Sequence, residues 1–118
     1  MYRIGKTLTF EAAHHLEDLP EGHKCRRPHG HSYVVEFELS AESLDDRSFV
    51  EDYGLLSELV RGFDHQDLNE VLPPWVTPTA EELASFFATQ LVHIVRAGVR
   101  VNRVVVRETA SSWAEYRP

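Results

Sequence analysis

His29-Gly30-His31 opens a run in which Tyr33, Val35, Phe37 and Leu39 alternate with Ser32, Glu36 and Glu38. Strict alternation over this length predicts a β-strand from about His29 to Leu39, with one buried face. Side chains at i and i+2 share a face of a strand, so both histidines point to the buried side. A second alternating run precedes it: Ile4, Leu8, Phe10 and Ala12 fall on one face, His14 continues that face, and His15 falls on the other. Between the runs, Leu16 to Pro28 is polar and carries Pro20, Gly22 and Pro28, so it reads as a loop. Pairing the two strands as an antiparallel hairpin brings His14 near His29 and His31.

Three neutral imidazoles with a fourth position open describe a catalytic zinc site rather than a structural one. The plainer possibility for His29-x-His31 is a strand that merely carries two histidines, and His14 on the adjacent strand weighs against it. Gly30 between them suits close approach by a ligand or backbone. Cys25 is the only cysteine, which excludes a disulfide framework and a Cys-rich zinc site. It reads as a small buried apolar residue or as a base or nucleophile beside the metal. His23, Lys24, Arg26 and Arg27 form the most basic stretch of an otherwise acidic chain, and nearby cations favour thiolate. The same stretch is either a solvated loop or an attractor for a phosphorylated substrate.

Downstream, Asp45 to Ser48 reads as a turn. Asp52 caps a short helix with apolar positions Leu55, Leu56, Leu59, Val60 and Phe63. A loop with Pro73, Pro74 and Pro78 leads to Thr79-Ala80-Glu81-Glu82, a capping box with Thr79 as N-cap. That helix carries Leu83, Phe86, Phe87, Leu91, Ile94 and Val95 and ends near Gly98. Val101 to Val106 is a β-branched strand, and Ser111 to Tyr116 a final short one. The order β-β-α-α-β-β predicts an α+β fold, an antiparallel sheet with two helices layered on one face.

Asp64-His65 follows the first helix. It reads either as an orienting carboxylate–imidazole pair or as a helix C-terminus with a histidine facing its dipole. Neighbours in sequence seldom bond each other, so Asp64 is expected to orient something else. Glu108, at the end of the Val-rich strand, either caps a turn or accepts two parallel hydrogen bonds from a guanidine-like ligand edge.

The 118 residues suit one domain, and a 42% hydrophobic content excludes a largely disordered chain. A net charge of -7 disfavours nucleic-acid and anionic-membrane partners. No apolar run approaches a membrane span, and the N-terminus lacks the apolar stretch of a signal peptide, so a soluble, cytoplasmic protein is expected.

These blocks together resemble the 6-pyruvoyl-tetrahydropterin synthase / 6-carboxy-tetrahydropterin synthase family. Phe10-Glu11-Ala12-Ala13-His14 resembles its first histidine strand. Cys25 through Tyr33 resembles its C-x-x-x-H-G-H-S-Y signature, and Phe49 to Tyr53 its valine-x-aspartate-aromatic segment. Asp64-His65 with Leu68-Asn69 matches D-H-x-x-L-N. Pro78 to Glu81 and Arg107-Glu108-Thr109 match P-T-A-E and E-T. Tyr53 stands where the family usually has Phe.

The resemblance implies a T-fold (tunnelling fold) over residues 1–118, acting as one catalytic domain and assembling into a homotrimer or homohexamer with sites between subunits. It implies that His14, His29 and His31 hold Zn2+ and that Cys25 accepts a proton. Asp64 and His65 become an assisting relay from a neighbouring subunit, and Glu108 anchors a pterin. Arg27, Thr79 and Ala80 are implied as further substrate contacts. The three-residue gap between Cys25 and His29 resembles the bacterial enzymes of deazapurine (queuosine-type) biosynthesis. The implied activity is 6-carboxy-5,6,7,8-tetrahydropterin synthase, a lyase acting on 7,8-dihydroneopterin triphosphate. The alternatives are the pyruvoyl-forming reaction, without carbon–carbon cleavage, and a non-catalytic zinc or pterin-binding module.

Overall fold

A computed structural model describes all 118 residues. Alternation drives the first two strands: β1 spans Tyr2–His14 and β2 spans His29–Ala41. They pair antiparallel along their full length, from Tyr2 opposite Ala41 to His14 opposite His29. The intervening loop contains one 3-10 turn at Lys24–Arg26. Helix α1 spans Tyr53–Arg61, and Asp52 caps it by accepting a hydrogen bond from the Gly54 N–H. Two short elements follow, β3 at Gln66–Asp67 and the single-turn α2 at Leu68–Val71. Helix α3 spans Ala80–Ile94, and the chain ends in β4, Val99–Thr109, and β5, Ser112–Tyr116.

The five strands form one sheet in the order β3-β1-β2-β4-β5. All pairs are antiparallel except β1 with β3, which run parallel through Ala12–Gln66 and Ala13–Asp67. The expected all-antiparallel sheet therefore gains a short parallel edge, and the expected two helices gain a third, one-turn helix. Both are too short to leave a period in the sequence. They are set instead by main-chain pairing to β1 and by Asp67, which caps α2 through the Asn69 N–H.

One face of the sheet is apolar and carries the helices. Phe10, Tyr33, Val35, Phe37, Leu39, Val104 and Val106 are buried against Leu56 and Val60 of α1 and Leu83, Phe87 and Leu91 of α3. Phe87 is the hub, edge-on to Phe10, Phe37 and Phe63 at ring separations of 6.2, 6.0 and 5.3 Å. Phe63 lies beyond the end of α1 yet still packs into this core. The opposite face is charged: Arg103 reaches Glu38 and Glu115 at 2.8 and 3.1 Å, and Arg107 reaches Glu36 at 3.2 Å. No helix is long and apolar enough to cross a membrane.

Three local expectations change. Only half of the capping box forms: Thr79 Oγ1 accepts from the Glu82 N–H, whereas the Thr79 N–H donates to Thr77 O. Helix α3 ends at Ile94, which is solvent-exposed rather than part of the buried stripe, and Gly98 with φ of +87° serves the turn into β4. Gly30 is not forced by close backbone approach, because a Cβ there would sit 3.5 Å from Ala12 O, an ordinary contact.

Candidate metal centre and active site

The ends of β1 and β2 bring His14, His29 and His31 together, with one nitrogen of each within 4.8 Å of the others. His14 Nε2 lies 3.0 Å from His29 Nε2 and 3.1 Å from His31 Nε2. The tautomers of two rings follow from their partners. His14 Nδ1 donates to Pro78 O at 2.6 Å, and His29 Nδ1 donates to Arg27 O at 2.7 Å. A carbonyl only accepts, so both Nδ1 atoms carry the proton and both Nε2 atoms present lone pairs. Two bare nitrogens at this separation repel unless a cation lies between them. Zn–N bonds of about 2.0–2.1 Å in a tetrahedral site imply nitrogens about 3.3 Å apart, close to this arrangement. The donor set therefore fits a divalent transition metal, and backbone carbonyls behind the ligands are the usual orienting partners.

His14 is buried, and that burial lowers its pKa below the usual histidine value, with the Pro78 carbonyl and the Glu108 charge acting in the opposite direction. A neutral imidazole is the form a metal requires. Beneath it, Tyr33 is fully buried, stacked on Phe10 at 4.9 Å and edge-on to His31 at 5.4 Å. Burial pushes the phenol pKa well above its usual value, and the Glu108 charge adds to this, so the hydroxyl stays neutral. That hydroxyl has no hydrogen-bond partner.

The three histidines open onto a cavity of about 670 Å³ that Cys25, Arg27, Lys24 and Glu108 also line. Cys25 is tied there by its main chain: its carbonyl accepts from the Leu16 N–H at 2.9 Å, and its N–H donates to His23 Nδ1 at 3.1 Å. Glu108 follows Arg107, the last β4 residue paired with β2, and shares the inward face with Val104 and Val106. On its other side the β4–β5 register shifts between Arg107 and Thr109, an irregularity of the kind that re-aims a side chain. The turn reading of Glu108 thus gives way to a carboxylate facing the cavity.

Asp64 and His65 do not line this cavity. His65 lines a second hollow of about 550 Å³ with Glu11, Ser32 and Gly30 on the charged face of the sheet; His31 lines both hollows, but Cys25 and Glu108 line only the first. His65 Nδ1 lies 3.0 Å from Asp64 Oδ2, so these sequence neighbours do bond each other, against expectation. The reason is backbone geometry: His65 has φ of +59°, which folds its ring back over the preceding carboxylate. Asp64 Oδ1 also accepts from the Glu11 N–H at 2.9 Å. The hydrogen bond from that N–H and the one to His65 lower the Asp64 pKa.

Thr79 and Ala80 do not reach the cavity. The Thr79 hydroxyl caps α3, and Ala80 is buried in the core. Their block acts on the site through Pro78, whose carbonyl holds His14. Sequence reasoning missed that carbonyl and the Tyr33 hydroxyl, while Lys24 of the basic stretch does line the cavity. The Pro78 block was visible as a motif, but a main-chain acceptor carries no side-chain signal.

A five-stranded α+β sheet with helices on one face and a three-histidine cluster at one end defines a T-fold protein of the pterin-synthase type. The chain belongs to the 6-pyruvoyl tetrahydropterin synthase family, whose sequence model matches residues 3–118. It is 36% identical over 126 residues to the 6-carboxy-5,6,7,8-tetrahydropterin synthase of Synechocystis sp., covering 98% of this chain and 93% of that one. With the enzyme of the same name from Aquifex aeolicus it shares 32% identity over 158 residues, covering 98% of each. The solved structure of Caenorhabditis elegans 6-pyruvoyl tetrahydropterin synthase has the same fold, with a TM-score of 0.79 over 99% of this chain and 95% of that one at 24% identity.

Proposed function

We propose that the chain is a zinc-dependent 6-carboxy-5,6,7,8-tetrahydropterin synthase, a lyase that converts 7,8-dihydroneopterin triphosphate and one water to 6-carboxytetrahydropterin, acetaldehyde and triphosphate. The observation that carries this reading is the convergence of three imidazoles, a thiol and an inward carboxylate on one cavity. The names of the bacterial relatives and the three-residue gap between Cys25 and His29 favour the carboxy product over the pyruvoyl one.

His14, His29 and His31 would hold the zinc, which when bound supplies Lewis acidity to acidify side-chain hydroxyls and polarise a developing carbonyl. Glu108 accepts a donor pair from the pterin edge and fixes its orientation. Arg27, with Lys24 beside it, meets the phosphate chain. Thr79 and Ala80 can contribute only main-chain groups to the substrate, because the side chains are engaged in the fold. Cys25, as thiolate, takes a proton from the substrate side chain, and His65, held by Asp64, returns one. Triphosphate leaves by elimination, and a hydrolytic, retro-aldol-type cleavage that consumes one water releases acetaldehyde and leaves the carboxyl group on the pterin.

His65 lines no part of the cavity that Cys25 and Glu108 line, which supports a relay supplied by a neighbouring copy. Residues 1–118 then act as one catalytic domain in a cytoplasmic homotrimer or homohexamer, in a deazapurine (queuosine-type) pathway. The test is triphosphate release from 7,8-dihydroneopterin triphosphate by wild type and Cys25→Ala. Cys25→Ala is expected to keep its zinc and lose about 10²–10⁴-fold in kcat/KM, the range for a general base. Full activity would remove Cys25 from the mechanism.

A further inference from the structure

Asn69 closes the matched D-H-x-x-L-N block, yet the proposed chemistry gives it no task. Its side chain is half-buried against the point where β1 leaves the sheet. Asn69 Oδ1 accepts from the His15 N–H at 2.9 Å, and Asn69 Nδ2 donates to His15 O at 3.0 Å. One carboxamide thus satisfies both main-chain groups of the residue after His14, as a neighbouring strand would. The asparagine is itself held, because its N–H donates to Asp67 Oδ1 at 3.0 Å and its neighbour Leu68 is fully buried.

Around His14 the restraints are then complete. On one side β1 pairs with β2 at His14–His29. On the other, β3 pairs with Ala12 and Ala13, and the Asn69 clamp takes over at His15. The ring is fixed by Pro78 O. Without Asn69, the main chain at His15 has no partner on that side, and rotation there would swing the His14 imidazole away from His29 and His31.

We infer that Asn69 is a positioning residue for the metal centre, fixing the end of β1 so that the His14 Nε2 stays aimed at the point where His29 and His31 converge. The inference rests on the reading of the three histidines as metal ligands. Partners behind a ligand typically change metal affinity by about 10–100-fold when removed.

The test compares wild type, Asn69→Asp and Asn69→Leu. Asn69→Asp keeps the shape and the acceptor for the His15 N–H but sets an oxygen against His15 O. Asn69→Leu removes both bonds. Zinc affinity is measured by competition with a chromophoric chelator, the visible spectrum of the cobalt-loaded protein reports ligand geometry, and the melting temperature of each metal-free protein reports the fold. The expected result is zinc binding about 10–100-fold weaker in Asn69→Asp, with an altered cobalt spectrum and a metal-free melting temperature near that of wild type. Asn69→Leu should be at least as impaired, and if it does not fold, Asn69→Asp alone decides the matter. Unchanged zinc affinity and cobalt spectrum in Asn69→Asp would overturn the inference, as would failure of that variant to fold, which would make the amide a support of the whole fold. A wild-type chain that binds no zinc would overturn the metal reading itself, and would be seen before any variant is compared.

Discussion

Asp64 has two neighbours that favour the same charge state: the Glu11 N–H donates to its Oδ1, and His65 Nδ1 lies 3.0 Å from its Oδ2. Its folded pKa is therefore lowered, chiefly by the Glu11 amide. A carboxyl depressed in the folded state contributes stability that is present above its unfolded value, about 3.9, and is lost as pH falls through the folded value. Side-chain carboxyl NMR should accordingly place the Asp64 midpoint below about 3.9. A midpoint at or above that value would show that the bonds to Glu11 and His65 are not maintained in solution. The same residue shows where a local rule misleads. Adjacent side chains in ordinary backbone diverge, but the positive φ of His65 turns them toward each other, and nothing in an Asp-His pair announces that conformation.

Among the secondary-structure elements, α3 depends on its first turn, where Thr79 Oγ1 takes up the Glu82 N–H. Thr79→Ala should lower stability by about 1 kcal/mol in denaturant unfolding, the usual cost of a lost N-cap, without changing zinc content. A larger loss accompanied by loss of zinc would mean that the cap also holds the Pro78 carbonyl against His14. The long strands and the two long helices are legible in the sequence because each repeats its period several times, as in Tyr33, Val35, Phe37 and Leu39. The inward direction of His14 and its meeting with His29 and His31 follow from the same period and one hairpin. The two-residue β3 and one-turn α2 repeat nothing, and their position is a tertiary outcome of pairing with β1. For the same reason Cys25 and Glu108 are legible as candidates but their shared cavity is not, since it depends on the loop fold and on the β4–β5 irregularity.

The chain as a whole leaves two sheet edges open. β3 covers β1 only at Ala12 and Ala13, so most of β1 is unpaired on that side, and β5 closes the other edge with five residues. Open edges invite pairing with further copies, and closing them into a ring is one way to protect them. Placement of His65 outside the cavity of Cys25 and Glu108 gives assembly a second purpose in the proposed mechanism. Light scattering coupled to size exclusion should give the mass of three or six chains. A monomer that still turns over substrate would show that His65 is not supplied by another copy.

Everything proposed for the cavity of His14, His29, His31, Cys25 and Glu108 rests on its carrying out the carboxy-forming pterin reaction. Mass spectrometry of the products formed by the zinc-loaded chain from 7,8-dihydroneopterin triphosphate bears on that reaction without intermediary. The expected products are 6-carboxytetrahydropterin and acetaldehyde. A pyruvoyl product with no acetaldehyde, or unchanged substrate beside folded, zinc-bound protein, would contradict the proposal.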